Sequence, residues 1–291
     1  MQILANGIGI EVEADAPELG PAVVLIRGLS TQLTQWPAGF LDAFRDAGFR
    51  TVRFDNRDAG LSKKFEEAGK PALAELLTGQ AEPPYTLADM AADVVGVLDV
   101  LAIERAHVFG LSLGGMVAQH VAFSHGARCL SLASVMSTSG EPELPPATPE
   151  AMAALTSQPD DPTDRDSVIA HGMRTQRVIS SPGFPPSDDE LRDYITQAYD
   201  RCYCPSGTAR QLAAVLADGG RAQRLATIDV PTLVLHGAAD PLIPLACGED
   251  TARHIPGAKL EVVEGMGHDV NRHNANVVAS HLIAHARRAK G

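Results

Sequence analysis

Short, unbroken apolar runs recur along this chain, and most are followed by a longer stretch with helical periodicity. Residues 22–26 read AVVLI, 106–111 read AHVFGL, 129–136 read CLSLASVM and 231–237 read PTLVLHG. A strand that is apolar at every position must have both faces covered, as in a parallel sheet flanked by helices. Parallel neighbours also need crossover connections, which are right-handed and usually helical. The alternation therefore predicts an α/β fold: a mostly parallel central sheet with helices on both faces.

Weaker signals fill in the rest. Residues 2–5 and 8–13 read as an opening hairpin turning at Asn6-Gly7. A helix is predicted from near Pro37 to Ala47, closed by Gly48. After the strand RTVRFD, the run TLADMAADVVGVLDVLAI is a second helix, opened by Thr86 with Asp89 three positions on, a variant of the capping box. The helix GMVAQHVAFSH follows AHVFGL, and a terminal helix starts near Val277 after the strand AKLEVVEG. Over 139–225 the alternation fails. Pro142, Pro145, Pro146, Pro149, Pro159 and Pro162 exclude one continuous helix or a central strand there. Helical runs at 164–179, 188–200 and 208–218 follow with no strand between them. The strands on either side should complete one sheet, so the expected organisation is a core of residues 1–138 and 226–291 interrupted by a helical insertion at 139–225. The length of 291 residues accommodates that arrangement.

Composition narrows the partners. A formal net charge of −12 argues against a nucleic-acid or anionic-membrane surface. No run approaches the roughly 18 apolar residues of a membrane span, and the opening MQIL shows no secretory pattern, so a cytoplasmic chain is expected. Cys202 and Cys204 form C-x-C, which is neither a redox nor a zinc spacing, so Cys129, Cys202, Cys204 and Cys247 are expected as free thiols with no metal.

The chemistry begins at Gly110-Leu111-Ser112-Leu113-Gly114, a G-x-S-x-G between a strand and a helix. A serine on so sharp a corner needs small neighbours, and the corner lifts its hydroxyl clear of the sheet while gathering the first helical N–H groups around it. A hydroxyl becomes a nucleophile only when a base takes its proton, and the base needs an orienting acid. Both should follow in the chain on loops after strands. Asp240, in LVLHGAADPLIP, and His268, in LEVVEGMGHDV, meet that requirement. Among the ten histidines only His273 competes in the same region, and its setting reads as a helix approach. The negative charge developing on an attacked carbonyl calls for two backbone donors. The N–H of Leu113 directly follows the serine, and the loop Arg27-Gly28-Leu29-Ser30 after AVVLI offers that of Leu29.

With these residues in place, the chain resembles the α/β-hydrolase superfamily over nearly its full length. FDNRDAGLS and YTLADMAADVVGVLDVL look like its bacterial esterase branch, the one that includes aclacinomycin methylesterase. The resemblance implies an eight-stranded core, a helical cap, a Ser-Asp-His acyl-enzyme mechanism and no cofactor. Many relatives carry His-Gly where this chain has Arg27-Gly28. In similar proteins the residues matching Arg57 and Asp58 fix a loop near the site. Trp36 either packs beneath the oxyanion loop or touches substrate. Met136, Met152, Met173, Phe184, Tyr194 and Tyr199 either line the pocket or form the cap's own core. The expected activity is hydrolysis of a small-molecule carboxylic ester, whether a methyl ester, a small acyl ester or a lactone. The same triad also admits perhydrolase or C–C bond hydrolase chemistry, and a non-catalytic ligand receptor is the option from another class. A dehalogenase or epoxide hydrolase would place a carboxylate at position 112, where serine stands.

Overall fold

The computed structural model describes residues 1–289 apart from 16, 18, 19, 79 and 81. Its strands are β1 (Gln2–Ala5), β2 (Ile8–Ala14), β3 (Ala22–Ile26), β4 (Arg50–Phe54), β5 (Ala106–Leu111), β6 (Cys129–Val135), β7 (Thr232–Gly237) and β8 (Lys259–Val263). They form one eight-stranded sheet in the order β1-β2-β4-β3-β5-β6-β7-β8. The pairings of β2 with β1 and with β4 are antiparallel, and from β4 to β8 every neighbour is parallel. The opening hairpin turns where expected: Asn6 and Gly7 both take positive φ, 48° and 75°, as a two-residue hairpin turn requires.

The unbroken apolar strands are those covered on both sides. Every residue of β3, β5 and β7 is buried. Along β3 the side chains alternate between two cores. Val24 and Ile26 join Met90, Val94, Val117 and Val121, from α3 (Leu87–Val100) and α4 (Leu113–Ser124). Val23 and Leu25 join Phe40, Phe44, Val278 and Leu282, from α1 (Ala38–Asp46) and α11 (Ala275–Arg288). Strand β8 lies at the sheet edge, so its alternation is partly solvent-facing. Gly48 closes α1 at φ 86°. Thr86 caps α3 through a reciprocal box in which its Oγ1 accepts from the Asp89 N–H and the Asp89 carboxylate accepts from the Thr86 N–H.

Between β6 and β7 the described residues form helices only: α5 (Pro149–Thr156), α6 (Arg165–Ile179), α7 (Asp188–Arg201), α8 (Pro205–Asp218) and α9 (Ala222–Leu225). Helix α5 lies inside the proline-rich stretch where sequence reasoning predicted none, and α8 begins three residues early. In both, proline occupies the first helical turn, where its missing N–H has no intrahelical acceptor to lose. The short α2 (Leu73–Leu77) precedes α3, and α10 (Leu245–His254) links β7 to β8. Helix α8 packs on α2 and α3, and α9 on α4 and α10, so this helical segment is joined to the core at several points. Among the described residues, no helix is long and apolar enough to cross a membrane.

Candidate active site

Ser112 joins β5 to α4 with φ 55° and ψ −122°, a conformation that costs a non-glycine residue about 1–3 kcal/mol. The corner is this tight only because its neighbours lack side chains. A Cβ at Gly110 would lie 1.9 Å from the Gly114 carbonyl oxygen, and one at Gly114 would lie 2.3 Å from that of Ile26. The Ser112 N–H donates to the Val135 carbonyl of β6 at 2.9 Å, and Ser137 Oγ donates to the Ser112 carbonyl at 2.8 Å, so the corner is held from both sides. Ser112 itself is half-buried, and among the described residues its hydroxyl makes no hydrogen bond.

The parallel run β5 to β8 puts its carboxyl ends on one rim. Strands about 4.8 Å apart separate β5 from β8 by about 14 Å, so only loops folded back over the rim reach across. Asp240 follows β7, and its side chain is wholly buried. One of its oxygens accepts from the Leu242 and Ile243 N–H groups at 2.9 Å each, and the other meets His268 Nδ1 at 2.7 Å. The His268 loop after β8 is tied down in turn. Its N–H donates to the Ile179 carbonyl at the end of α6, at 2.7 Å, and a Cβ at Gly267 would lie 2.7 Å from that same oxygen.

Two other histidines in this region are engaged elsewhere. His273 is exposed and pairs with Glu190 of α7 at 3.0 Å. His236, on β7, shares a hydrogen bond of 2.8 Å with the Ile243 carbonyl, and burial pushes its imidazole below the ordinary histidine value. It therefore stays neutral beside Asp240 and leaves the carboxylate to His268.

The loop after β3 sits directly against the serine: a Cβ on Gly28 would lie 3.2 Å from Ser112 Cβ. Among the described residues the N–H groups of Leu29 and Leu113 have no protein acceptor, the latter because it opens a helix. Three other groups of the loop are held. Asn56 Nδ2 donates to the Arg27 carbonyl at 3.0 Å, Thr31 Oγ1 to the Gly28 carbonyl at 2.8 Å, and the Ser30 N–H donates to Gln211 Oε1 of α8 at 2.8 Å. Arg27, standing where many relatives carry histidine, is buried. Its guanidinium lies 4.9 Å over the Trp36 ring and donates to the Tyr194 hydroxyl of α7 at 3.0 Å. Trp36 thus packs beneath the loop, stacked on Phe40 as well.

DNRDAG serves as a junction. Asp55 accepts from the Leu33 and Leu61 N–H groups and pairs with Arg201 of α7 at 2.8 Å. Gly60 rests against that carboxylate so closely that a Cβ would lie 2.0 Å from it. Arg57 makes a bidentate pair with Asp93. Asp58 receives the Arg210 guanidinium of α8 through two bonds of 2.8 and 2.7 Å, plus the Tyr85 hydroxyl at 2.7 Å. Burial and the Asp58 carboxylate both raise the Tyr85 phenol above its usual range, so it remains a donor.

Of the residues proposed to line a pocket, Met173 and Tyr199 belong to a small core between α6 and α7, together with Ile169 and Leu191. Met136 and Phe184 pack on the α1–α11 side of the sheet, Met152 is exposed, and Tyr194 meets Arg27. Sequence reasoning missed Arg210 and Gln211. Their only trace in the string is a charged-polar pair set among alanines in TARQLAAVLA, which reads equally as a solvated helix face.

A serine corner and a His–Asp pair along the carboxyl rim of such a sheet are features of one class, the hydrolases of α/β-hydrolase fold. The family described as alpha/beta hydrolase fold matches residues 21–272, and the chain belongs to it. Rhodomycin D methylesterase DauP of Streptomyces sp. (strain C5) is 27% identical, over 97% of this chain and 94% of that protein. 3-Oxoadipate enol-lactonase 1 of Acinetobacter baylyi is 26% identical, over 89% of this chain and 86% of its own. Among solved structures, a putative aryl esterase from Burkholderia cenocepacia superposes with a TM-score of 0.78 at 20% identity, covering 99% of this chain and 98% of that one. At that identity the likeness concerns the fold.

Proposed function

We propose that this chain is a serine hydrolase of carboxylic esters, acting on a small acyl ester, a methyl ester or a lactone through an acyl-enzyme on Ser112. Two observations support the class: relatives named as a methylesterase and an enol-lactonase match over most of the chain. The observation that carries the mechanism is the 2.7 Å bond between His268 Nδ1 and a fully buried Asp240. With Nδ1–H committed to the carboxylate, Nε2 keeps its lone pair for the Ser112 proton.

Ser112 Oγ attacks the ester carbonyl carbon as His268 Nε2 takes its proton. The carbonyl π pair moves onto oxygen, where the N–H groups of Leu29 and Leu113 receive it. Each such donor contributes about 3 kcal/mol to transition-state stabilisation by analogy with measured cases. Collapse expels the alkoxide, which leaves with the proton from His268. Water, deprotonated by the same imidazole, then attacks the acyl carbon and releases the acid and Ser112. A lactone follows the same course, its alkoxide staying attached to the acid. The hydroxyl and imidazole close to bonding distance on substrate binding, as catalytic hydrogen bonds often do. No step calls for a cofactor or metal.

Residues 139–225 form a cap over this rim, since α6 and α7 reach the His268 loop and Arg27. A cytoplasmic location belongs to the same reading and is supported by four free cysteines, which suit a reducing compartment; a net charge of −12 speaks against a nucleic-acid or anionic-membrane partner. The test is Ser112→Ala, assayed with p-nitrophenyl acetate and a fluorophosphonate probe. Turnover and labelling should both vanish with the melting temperature preserved. Retained turnover in that variant defeats the assignment.

A further inference from the structure

We infer that Gln211, on α8 of the cap, is a positioning residue for the oxyanion loop, so that the cap builds part of the stabilising site as well as roofing it. The inference rests on the reading of Leu29 and Leu113 as the two donors.

A backbone N–H stabilises a developing oxyanion only if its direction is fixed before the charge appears. Leu29 shares a planar peptide with Gly28, in which C=O and N–H point opposite ways. Thr31 holds the Gly28 carbonyl at 2.8 Å, which sets the direction of the Leu29 N–H on the other side of the plane. The next peptide is the weak point. Ser30 takes φ 56°, a left-handed conformation that a non-glycine residue keeps only under external constraint. Ser30 is also exposed, so its own side chain packs against little.

A long turn bond, from the Thr31 N–H to the Gly28 carbonyl at 3.3 Å, spans Ser30 within the loop, and the constraint from outside the loop comes from Gln211. Its Oε1 accepts from the Ser30 N–H at 2.8 Å, while its Nε2 donates to the Arg57 carbonyl at 2.7 Å, and the residue is wholly buried. One amide thus bridges the oxyanion loop to the DNRDAG junction. Its helix has little room to move: the neighbouring Arg210 is locked on Asp58, and at Gly207 a Cβ would lie 2.2 Å from the Asp58 carbonyl oxygen. A second tie from the cap, the Tyr194 hydroxyl on Arg27, holds the start of the same loop.

Released from Gln211, the Leu29–Ser30 peptide can turn and Thr31 shifts with it; the tie from Thr31 to the Gly28 carbonyl then lets the Gly28–Leu29 peptide, and with it the Leu29 N–H, swing off line. Loss of one oxyanion donor costs about 10²- to 10³-fold in kcat, so partial misplacement should cost about 10- to 100-fold. Gln211→Met keeps the volume and removes both bonds. Gln211→Glu, kept neutral by burial against the Arg57 carbonyl, retains an acceptor for the Ser30 N–H and turns its O–H toward that carbonyl. Both are measured with p-nitrophenyl acetate, beside the inhibition constant of an aryl trifluoromethyl ketone, whose adduct with Ser112 carries the oxyanion, and that of a non-reactive alcohol.

In Gln211→Met, kcat should fall about 10- to 100-fold and the ketone should weaken by the same factor, with KM and alcohol binding within about threefold of wild type. Gln211→Glu should recover most of the loss. A folded Gln211→Met with kcat within twofold of wild type overturns the inference, as does a kcat loss without the matching ketone loss. Equal damage in Gln211→Glu overturns it too, and so does failure of both variants to fold, since the residue then serves stability alone. Wild-type protein that neither turns over the ester nor labels with fluorophosphonate would instead bring down the parent reading.

Discussion

Replacing Asp240 with asparagine changes one oxygen to nitrogen, and the structure dictates which one. Oδ1 accepts two backbone N–H groups, from Leu242 and Ile243, at 2.9 Å each. An amide placed there must keep its carbonyl oxygen toward those donors, because its NH2 would face two N–H groups in a buried site. Its NH2 is therefore forced toward His268 Nδ1, 2.7 Å from the position of Oδ2. Nδ1 must then accept, the imidazole proton moves to Nε2, and the lone pair that should take the Ser112 proton is lost. A wrong tautomer in a serine triad costs about 10⁴-fold in kcat, or about 5 kcal/mol of barrier. Side-chain volume and both backbone bonds survive, so stability should change by no more than about 1 kcal/mol. The assay is steady-state hydrolysis of p-nitrophenyl acetate by Asp240→Asn, with urea unfolding on the same sample. A variant that keeps more than a tenth of wild-type kcat would refute the argument, because the amide would have to sit the other way round or the acid would have to be another residue.

Arg210→Met leaves the Asp58 carboxylate buried without its cation, both partners being wholly inaccessible in the structure, and should cost about 3–5 kcal/mol of stability. Urea unfolding should show that loss and Arg210→Met/Asp58→Asn should regain part of it, whereas a loss below about 1 kcal/mol would show that the pair bears little load. Burial depresses the imidazoles of His107 and His285 to about 4 each, while the unfolded chain titrates near 6.5. Above 6.5 both states are neutral there; between 6.5 and 4 the unfolded chain binds protons that the native chain does not, so stability falls as pH falls through that window. Each histidine accounts for about 3 kcal/mol by pH 4, and His107→Asn should flatten the slope of unfolding free energy against pH; an unchanged slope would place those protons elsewhere.

The legible parts of the sequence were those governed by local rules. Burial on both faces demanded continuous apolar strands, so β3, β5, β6 and β7 could be read directly, and G-x-S-x-G fixed the corner because a Cβ at Gly110 or Gly114 would lie 1.9 or 2.3 Å from a backbone oxygen. Helix α5 was hidden because a proline-rich stretch suggests interruption, although proline in a first turn is harmless.

Residues 112, 240 and 268 could be proposed together because a parallel sheet delivers every strand end to one rim, a topological rule that needs no coordinates. Which polar side chains in the helical segment face the core is a different kind of question. Gln211, Arg210, Tyr194 and Arg201 lie on α7 and α8, and their partners on the loops at 27–35 and 55–60 are more than 130 residues away in the chain. Helical period shows which residues share a face but not what that face meets. Such contacts depend on how two surfaces fit once both are built, so the sequence determined the sheet and the corner, and tertiary packing alone decided how the loop after β3 is held.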